Sequence, residues 1–331
     1  MPQVGWYYRL SQFFRETFGE KVFKVPLDAG MTCPNRDGTL STRGCIFCYN
    51  PGFSPGVLYR ETKSTFAPLT EQIKGFQHRL ERSDNAFKSS VPGNPFTPRR
   101  KYLAYFQSYS NTYAPLPDLQ TLYEEALSAP GVIGLSVATR PDCLRPEALD
   151  LLGSYAKDYH VWLELGLQTI HDTTLQRINR GHTYASFEKA VWESHRRGLL
   201  VCVHIINGLP GEGPREMLET ARILSRLPVR GIKFHQLQVM EDTVLAEQYR
   251  SGGVELLSID DYLEIVCDQL ELLREDIVTH RLLSEVTRDE LLLAPRWSVS
   301  RADFAQKVQN ILKHRASYQG KRVVERTRGP S

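Results

Sequence analysis

The sequence lacks any run of about 18 to 20 consecutive apolar residues, so no part of it reads as a membrane span. Its first twenty residues (MPQVGWYYRLSQFFRETFGE) hold neither an apolar core nor a small-residue cleavage site, which argues against a signal peptide. No sign of charge prevails: 41 Lys+Arg against 38 Asp+Glu give +3 in 331 residues, too mild to indicate a polyanion partner alone. Internal repeats and long low-complexity runs are missing as well. Cysteine is scarce, at six residues. With the cytoplasm as the expected location, those thiols are expected to be reduced, which favours metal, cluster or catalytic use over a disulfide framework. A hydrophobic share of 41% and a charged share of 24% describe a soluble chain with material for a sizeable core.

What the chain does have is a recurring β-prone run, turn and amphipathic helix. The β-prone runs are Val22–Val25, Tyr102–Gln107, Gly134–Ala138, Val161–Leu167, Leu200–Ile206 and Gly231–Leu237. Several are apolar at nearly every position, as strands covered on both faces should be. Helical patterns separate them. In Leu69–Arg82 the residues Leu69, Ile73, Phe76 and Leu80 share one face, and Asp118–Ser128, Pro146–Ala156, Tyr184–Arg197 and Pro214–Leu227 read alike. Six βα units in series predict a parallel sheet with right-handed crossovers, either doubly wound or curved into an open barrel. Phe87–Lys101 is rich in Pro, Ser and Gly and reads as an exposed loop. The alternation is expected to stop near residue 276, before a helix at Arg301–Ala316. The expected organisation is an N-terminal segment (1–20), one main α/β domain (21–275) and a C-terminal extension with a basic tail (276–331).

Cys33, Cys45 and Cys48 form C-x11-C-x2-C in a loop of Gly, Pro, Asn and Asp directly after the first strand. A C-x2-C turn presents two sulfurs to one centre, and the third arrives from the start of the loop. A structural zinc site closes its shell with four protein ligands, whereas a reactive centre leaves a position open. A cubane iron–sulfur cluster held by three thiolates would likewise keep one iron free. Cys143, Cys202 and Cys267 lie in no second C-x2-C and read most simply as buried thiols. A zinc knuckle that only staples the loop is the plainer alternative for the triplet.

The loop, with Phe47 before its last cysteine, resembles the cluster loop of radical S-adenosylmethionine (SAM) enzymes, although C-x11-C-x2-C departs from their commonest C-x3-C-x2-C. The spacing is similar to that of the YhcC and YtqA (MnmL-like) group, related to the radical-SAM module of the Elongator catalytic subunit and to oxygen-independent coproporphyrinogen oxidase. Eight phrases carry the resemblance in order: VPLDAGMTCPNRDG at 25–38, YFQSYSNTYAP at 105–115, SVATRPDCL at 136–144, LELGLQT at 163–169, INRGHT at 178–183, HIINGLPGE at 204–212, GIKFHQLQV at 231–239 and LLLAPRWS at 291–298. The resemblance implies an α/β fold, the partial (β/α)6 radical-SAM barrel with a short C-terminal α/β extension. Its chemistry would lie at the C-terminal ends of the strands.

By that resemblance Cys33, Cys45 and Cys48 would hold a [4Fe–4S] cluster whose fourth iron chelates SAM. An electron from a reducing donor such as flavodoxin or ferredoxin would then release a 5′-deoxyadenosyl radical. Ser108, Asn111 and Thr112 would meet the methionine end of SAM, in the place of a Gly-Gly-Glu motif that this chain lacks. Glu164 and Gln168, four apart on one strand, would face the barrel interior and contact SAM, because a carboxylate in VWLELGLQT needs a partner if buried. Arg140 would pair with a carboxylate of SAM or substrate, or with Asp142. Asn207, in the turn NGLPGE, and Lys233 and Leu237, on the sixth strand with His235, complete the expected SAM contacts.

Two segments are locally basic: residues 60–101 carry net +5 and residues 301–331 net +6, with aromatics nearby. Such patches suit phosphate-backbone contacts, and a solvated surface explains them nearly as well. Kinship with Elongator makes tRNA the expected partner, through C5 side-chain chemistry on the wobble uridine such as carboxymethylaminomethyl-uridine to aminomethyl-uridine, without the acyl transfer of Elongator. A radical SAM enzyme of a small metabolite and a zinc-stapled RNA-binding protein are the competing readings.

Overall fold

The computed structural model describes residues 5–53, 67–90 and 100–323. Six strands, β1 (Val22–Leu27), β2 (Lys101–Phe106), β3 (Val132–Thr139), β4 (His160–Gln168), β5 (Leu200–Asn207) and β6 (Gly231–Gln236), lie side by side in sequence order and are all parallel. Each coincides with one of the apolar runs. The outward residues Val161, Leu163 and Leu165 of β4, with their counterparts Val137, Val203 and Phe234, enter the main core beneath the covering helices. Those helices are α2 (Leu69–Ser90), α3 (Leu116–Leu127), α4 (Pro146–Tyr155), α5 (Asp172–Arg177), α6 (Tyr184–Arg196) and α7 (Pro214–Leu224). This is the expected partial barrel.

Three features differ from the reading of the sequence. The helix expected to end at Arg82 runs to Ser90 and takes in the first residues of the segment read as a loop, since no Gly or Pro follows Arg82 before Pro92. The remainder of that loop, 91–99, lies outside the described residues, as do 60–66 and 324–331 of the two basic segments. The parallel sheet also gains a seventh strand beyond residue 276: β8 (Val278–Arg281) pairs with β6, after helices α8 (Val244–Arg250) and α9 (Ile259–Leu272). Four residues, three of them polar or charged, carry almost no periodic signal. Finally, the first segment holds α1 (Leu10–Phe18), which packs against both β1 and β8. A short antiparallel pair, β7 (Val239–Met240) with β9 (Leu292–Ala294), and helix α10 (Arg301–His314) complete the chain. Among the described residues no helix is long and apolar enough to cross a membrane.

The sheet edges are β1 and β8, and α1 fills the lower part of the gap between them. Phe13 and Phe14 of α1 meet Val22, Leu103, Trp162, Cys202 and Val278 in a buried cluster at the lower end of the barrel interior. Glycine makes this possible: a Cβ on Gly231 would stand 3.0 Å from the Trp162 ring and 2.8 Å from His280. The far end of the chain reinforces the plug. Gln319 accepts from the Tyr8 amide at 3.0 Å, its own amide bonds Trp6 O at 2.9 Å, and its side chain donates to Arg274 O and Ile277 O.

Candidate active site

Strand β4 carries the interior's chemistry in a single column. Alternate residues face inward, and from the lower end upward they are His160, Trp162, Glu164, Gly166 and Gln168. Glu164 is fully buried and is the hub of the middle layer. Ser136 donates to its Oε1 at 2.6 Å, His204 Nε2 stands 2.8 Å from its Oε2, and Lys24 and Lys233 form ion pairs with the two oxygens. Lys233 also donates to the Tyr105 hydroxyl at 2.9 Å. Burial alone would push the carboxyl up, but the pull of Lys233, Lys24 and His204 outweighs it and holds Glu164 well below the usual carboxylate range. Burial drives both lysines down while Glu164 draws them back. His204 is held neutral, its pKa lowered to about 4 by burial and by the neighbouring Lys233.

Above this layer opens a cavity of about 490 Å³ whose wall includes Cys33, Cys45 and Cys48. The cysteine loop is fixed from several sides. Its Ile46 amide bonds Ile178 O at 3.1 Å, while Ile46 O accepts from the Leu245 amide at 2.9 Å. Asn179 donates to Gly44 O at 2.7 Å, and Asn35 donates to Asn179 O. The sulfurs themselves receive N–H groups: Asn35 and Arg180 each lie 3.5 Å from Cys45 Sγ, and Asn50 lies 3.6 Å from Cys48 Sγ. Gly166 is the cradle for that arginine, because a Cβ there would sit 2.8 Å from Arg180 Nη2, which bonds Gly166 O at 2.6 Å.

This donor set fits an iron–sulfur cluster. All three thiols are free, and burial together with neighbouring Cys45 pushes Cys48 up to about 11 against the pull of Arg36. A bound metal would have to displace its proton. Arg36, Arg140 and Arg180 surround the sulfurs, each with a buried nitrogen that has no partner among the described residues. Their charge complements three thiolates. Among the described residues no group of three His, Cys, Asp or Glu converges on a single ion.

Of the remaining residues expected to contact SAM, Arg140, Glu164, Gln168 and Leu237 line the cavity. Arg140 makes a bidentate pair with Asp142 at 2.9 and 2.8 Å, and also donates to Arg180 O. Gln168 closes β4 at φ +81°, in the left-handed region, where the pairing with β5 shifts register. Ser108, Asn111, Thr112, Asn207 and Lys233 do not line it. Asn111 donates to Phe106 O and Ala138 O, and Thr112 shares bonds with Thr139 and Cys143 O. Asn207 exchanges two bonds with buried Gln269. Their neighbours Gln107, Tyr109 and Ser110 face the cavity instead. Sequence reasoning missed Lys24, Tyr105, Ser136 and His204 around Glu164, and Asn35 and Arg180 at the sulfurs. Lys24 did leave a signal of the same kind as Glu164, a lone charge in an apolar strand.

Comparison with known proteins agrees with this geometry. Residues 40–224 match the Radical SAM superfamily, and residues 229–314 match the Radical_SAM C-terminal domain. The YtqA protein of Bacillus subtilis is 39% identical over 315 residues, 95% of this chain and 92% of that one. A tRNA uridine(34) acetyltransferase of Dehalococcoides mccartyi is 28% identical over 123 residues, 36% of this chain and 26% of that protein. The solved archaeal Elp3 of Methanocaldococcus infernus shares the fold at TM-score 0.64 and 16% identity, over 90% of this chain and 64% of that one. With three cysteines at the mouth of a parallel half-barrel, and a family match across more than half its length, the chain belongs to the radical SAM superfamily and is a radical SAM enzyme.

Proposed function

We propose that this enzyme acts on tRNA, at the C5 side chain of the wobble uridine, with carboxymethylaminomethyl-uridine to aminomethyl-uridine as the candidate reaction. The observation that carries this reading is the similarity to a tRNA uridine(34) acetyltransferase, seconded by the likeness of fold to Elp3. Cys33, Cys45 and Cys48 would hold the [4Fe–4S] cluster, and SAM would share the cavity with it. When bound, that pair supplies a 5′-deoxyadenosyl radical for hydrogen abstraction.

The chain's own residues bind, orient and shield. Gln107, Tyr109 and Ser110 take the place expected of Ser108, Asn111 and Thr112 at the methionine end, since they are the residues of that loop facing the cavity. Gln168 and Leu237 flank the nucleoside. His235, whose Nδ1 meets Ser284 Oγ at 2.5 Å, keeps a buried Nε2 with no partner among the described residues, available to a ligand's polar edge. Arg36, Arg140 and Arg180 offset the negative charge of the thiolates.

The test begins with anaerobic, iron- and sulfide-reconstituted protein. 5′-Deoxyadenosine should form from SAM, should vanish in Cys45→Ala, and should rise when tRNA is added. Cells without the protein should then show a changed content of modified uridine in total tRNA. Stimulation by a small metabolite but not by tRNA would move the enzyme to another substrate class, and unchanged uridine modification would count against the reaction named.

A further inference from the structure

A second cavity, of about 840 Å³, lies in the gap between the edge strands β1 and β8, above α1. Its lining has seven lysines and arginines and no aspartate or glutamate, in a chain whose overall charge is only +3. Three of the seven are already paired: Lys24 and Lys233 with Glu164, and Arg301 with Glu285 at 2.7 Å. Arg9, Arg15, Lys21 and Arg281 form no ion pair among the described residues. The first three are exposed at the outer rim.

Arg281 is the inner member. It ends β8, is half-buried, and its side chain makes no hydrogen bond or ion pair among the described residues. Together with Pro26, Tyr105, Gln107 and Arg301 it lines both cavities, so it marks where the cationic cleft meets the space under the cysteines. Beside it stands the Glu164 layer, where two lysines face one carboxylate. An unpaired guanidinium in so cationic a place calls for an anion from outside the protein, and a guanidinium fork suits a planar or tetrahedral oxyanion.

We propose that the cleft between β1 and β8 admits an anionic substrate, with Arg9, Arg15 and Lys21 drawing its phosphates at the rim and Arg281 holding the oxyanion nearest the reacting centre. This rests on the tRNA reading for its macromolecule, an RNA phosphodiester chain; the recognition of an oxyanion rests on the cleft itself.

Arginine modification by phenylglyoxal, read peptide by peptide on the full-length protein, tests the inner site. Both tRNA and uridine 5′-monophosphate should slow modification of Arg281 at least fivefold, and uridine, which lacks the phosphate, should not. Protection by the mononucleotide without any tRNA binding would sustain the cleft and overturn the tRNA reading. Tight tRNA binding with Arg281 modified at its original rate would do the reverse. The rim is tested by Arg9→Gln/Arg15→Gln/Lys21→Gln, all exposed positions, against an equal charge change on the outer layer, Lys189→Gln and Arg222→Gln on α6 and α7 with Arg226→Gln in the turn after α7. The rim variant should lose about tenfold or more in tRNA affinity and flatten the salt dependence by about two to three units of slope, while the outer variant changes it less than twofold. Equal losses in the two variants would mean diffuse attraction and would overturn the rim assignment.

Discussion

The two ends of the barrel interior are built from the same strands and could hardly differ more. At the lower end the interior is aromatic: Phe13 meets Trp162 edge to face at 5.5 Å, Phe18 meets His160 at 5.1 Å, and Trp162 meets His280 at 4.4 Å. Two residues higher the interior is a salt-bridge layer, and two residues higher again it is a ligand cavity. The difference teaches where this fold keeps stability and where it keeps chemistry. The lower end is packed ring on ring, and unpartnered nitrogens such as Trp162 Nε1 and His160 Nε2 are buried among those rings, whereas the upper end sets its unsatisfied donors and unpaired cations around a cavity that a ligand can enter.

That contrast can be tested by exchanging what each end loses. The largest effect should come from Cys45→Ala, which abolishes cluster loading and SAM cleavage while leaving the thermal midpoint nearly unchanged, by absorbance, activity and calorimetry together. Loss of fold in that variant would show that the upper end also carries stability. Next, Glu164→Ala leaves two buried ammonium groups unpaired and should destabilise by about 3–5 kcal/mol in urea titration. Replacing the layer as a whole, by Lys24→Met/Glu164→Leu/Lys233→Met, should restore stability and not activity. At the lower end Trp162→Ala should cost about 3–5 kcal/mol through the cavity it leaves, with cluster binding intact at low temperature.

The smaller effects sharpen the same line. Burial and nearby Lys24 hold His160 down at about 4, so the folded protein keeps it neutral where the unfolded chain, titrating near 6.5, takes up a proton. The unfolded state then binds more protons between those values, so stability falls as pH drops from about 6.5 towards 4. On the order of 2 kcal/mol should be gone by pH 5, and His160→Gln should flatten that slope. Smallest is Gly166→Ala. Its methyl displaces Arg180 from Cys45, which should lower cluster occupancy with only about 1 kcal/mol change in stability.

Much of this architecture was legible beforehand, and the parts that were not share one cause. Strands β1 to β6 announced themselves as apolar runs, and Cys33, Cys45 and Cys48 by their spacing. Glu164 stood out because a charge on such a strand needs a partner. Its partners could not be read, because positions 24, 136, 204 and 233 become neighbours only through the lateral order of a parallel sheet. In the loop after β2, Tyr109 takes φ +62° and turns the next residues, so Asn111 and Thr112 bond the interior while Tyr109 and Ser110 face the cavity. Irregular backbone has no period to extrapolate.

The clasp of Gln319 on Trp6 and Tyr8 reaches across 311 residues. A contact of such separation closes late, since nearly the whole chain must already be ordered around it. During synthesis α1 emerges long before Gln319 and has to wait for it before its seat is locked. The nascent half-barrel therefore passes through a stage in which its sheet is formed and its base is still unlatched.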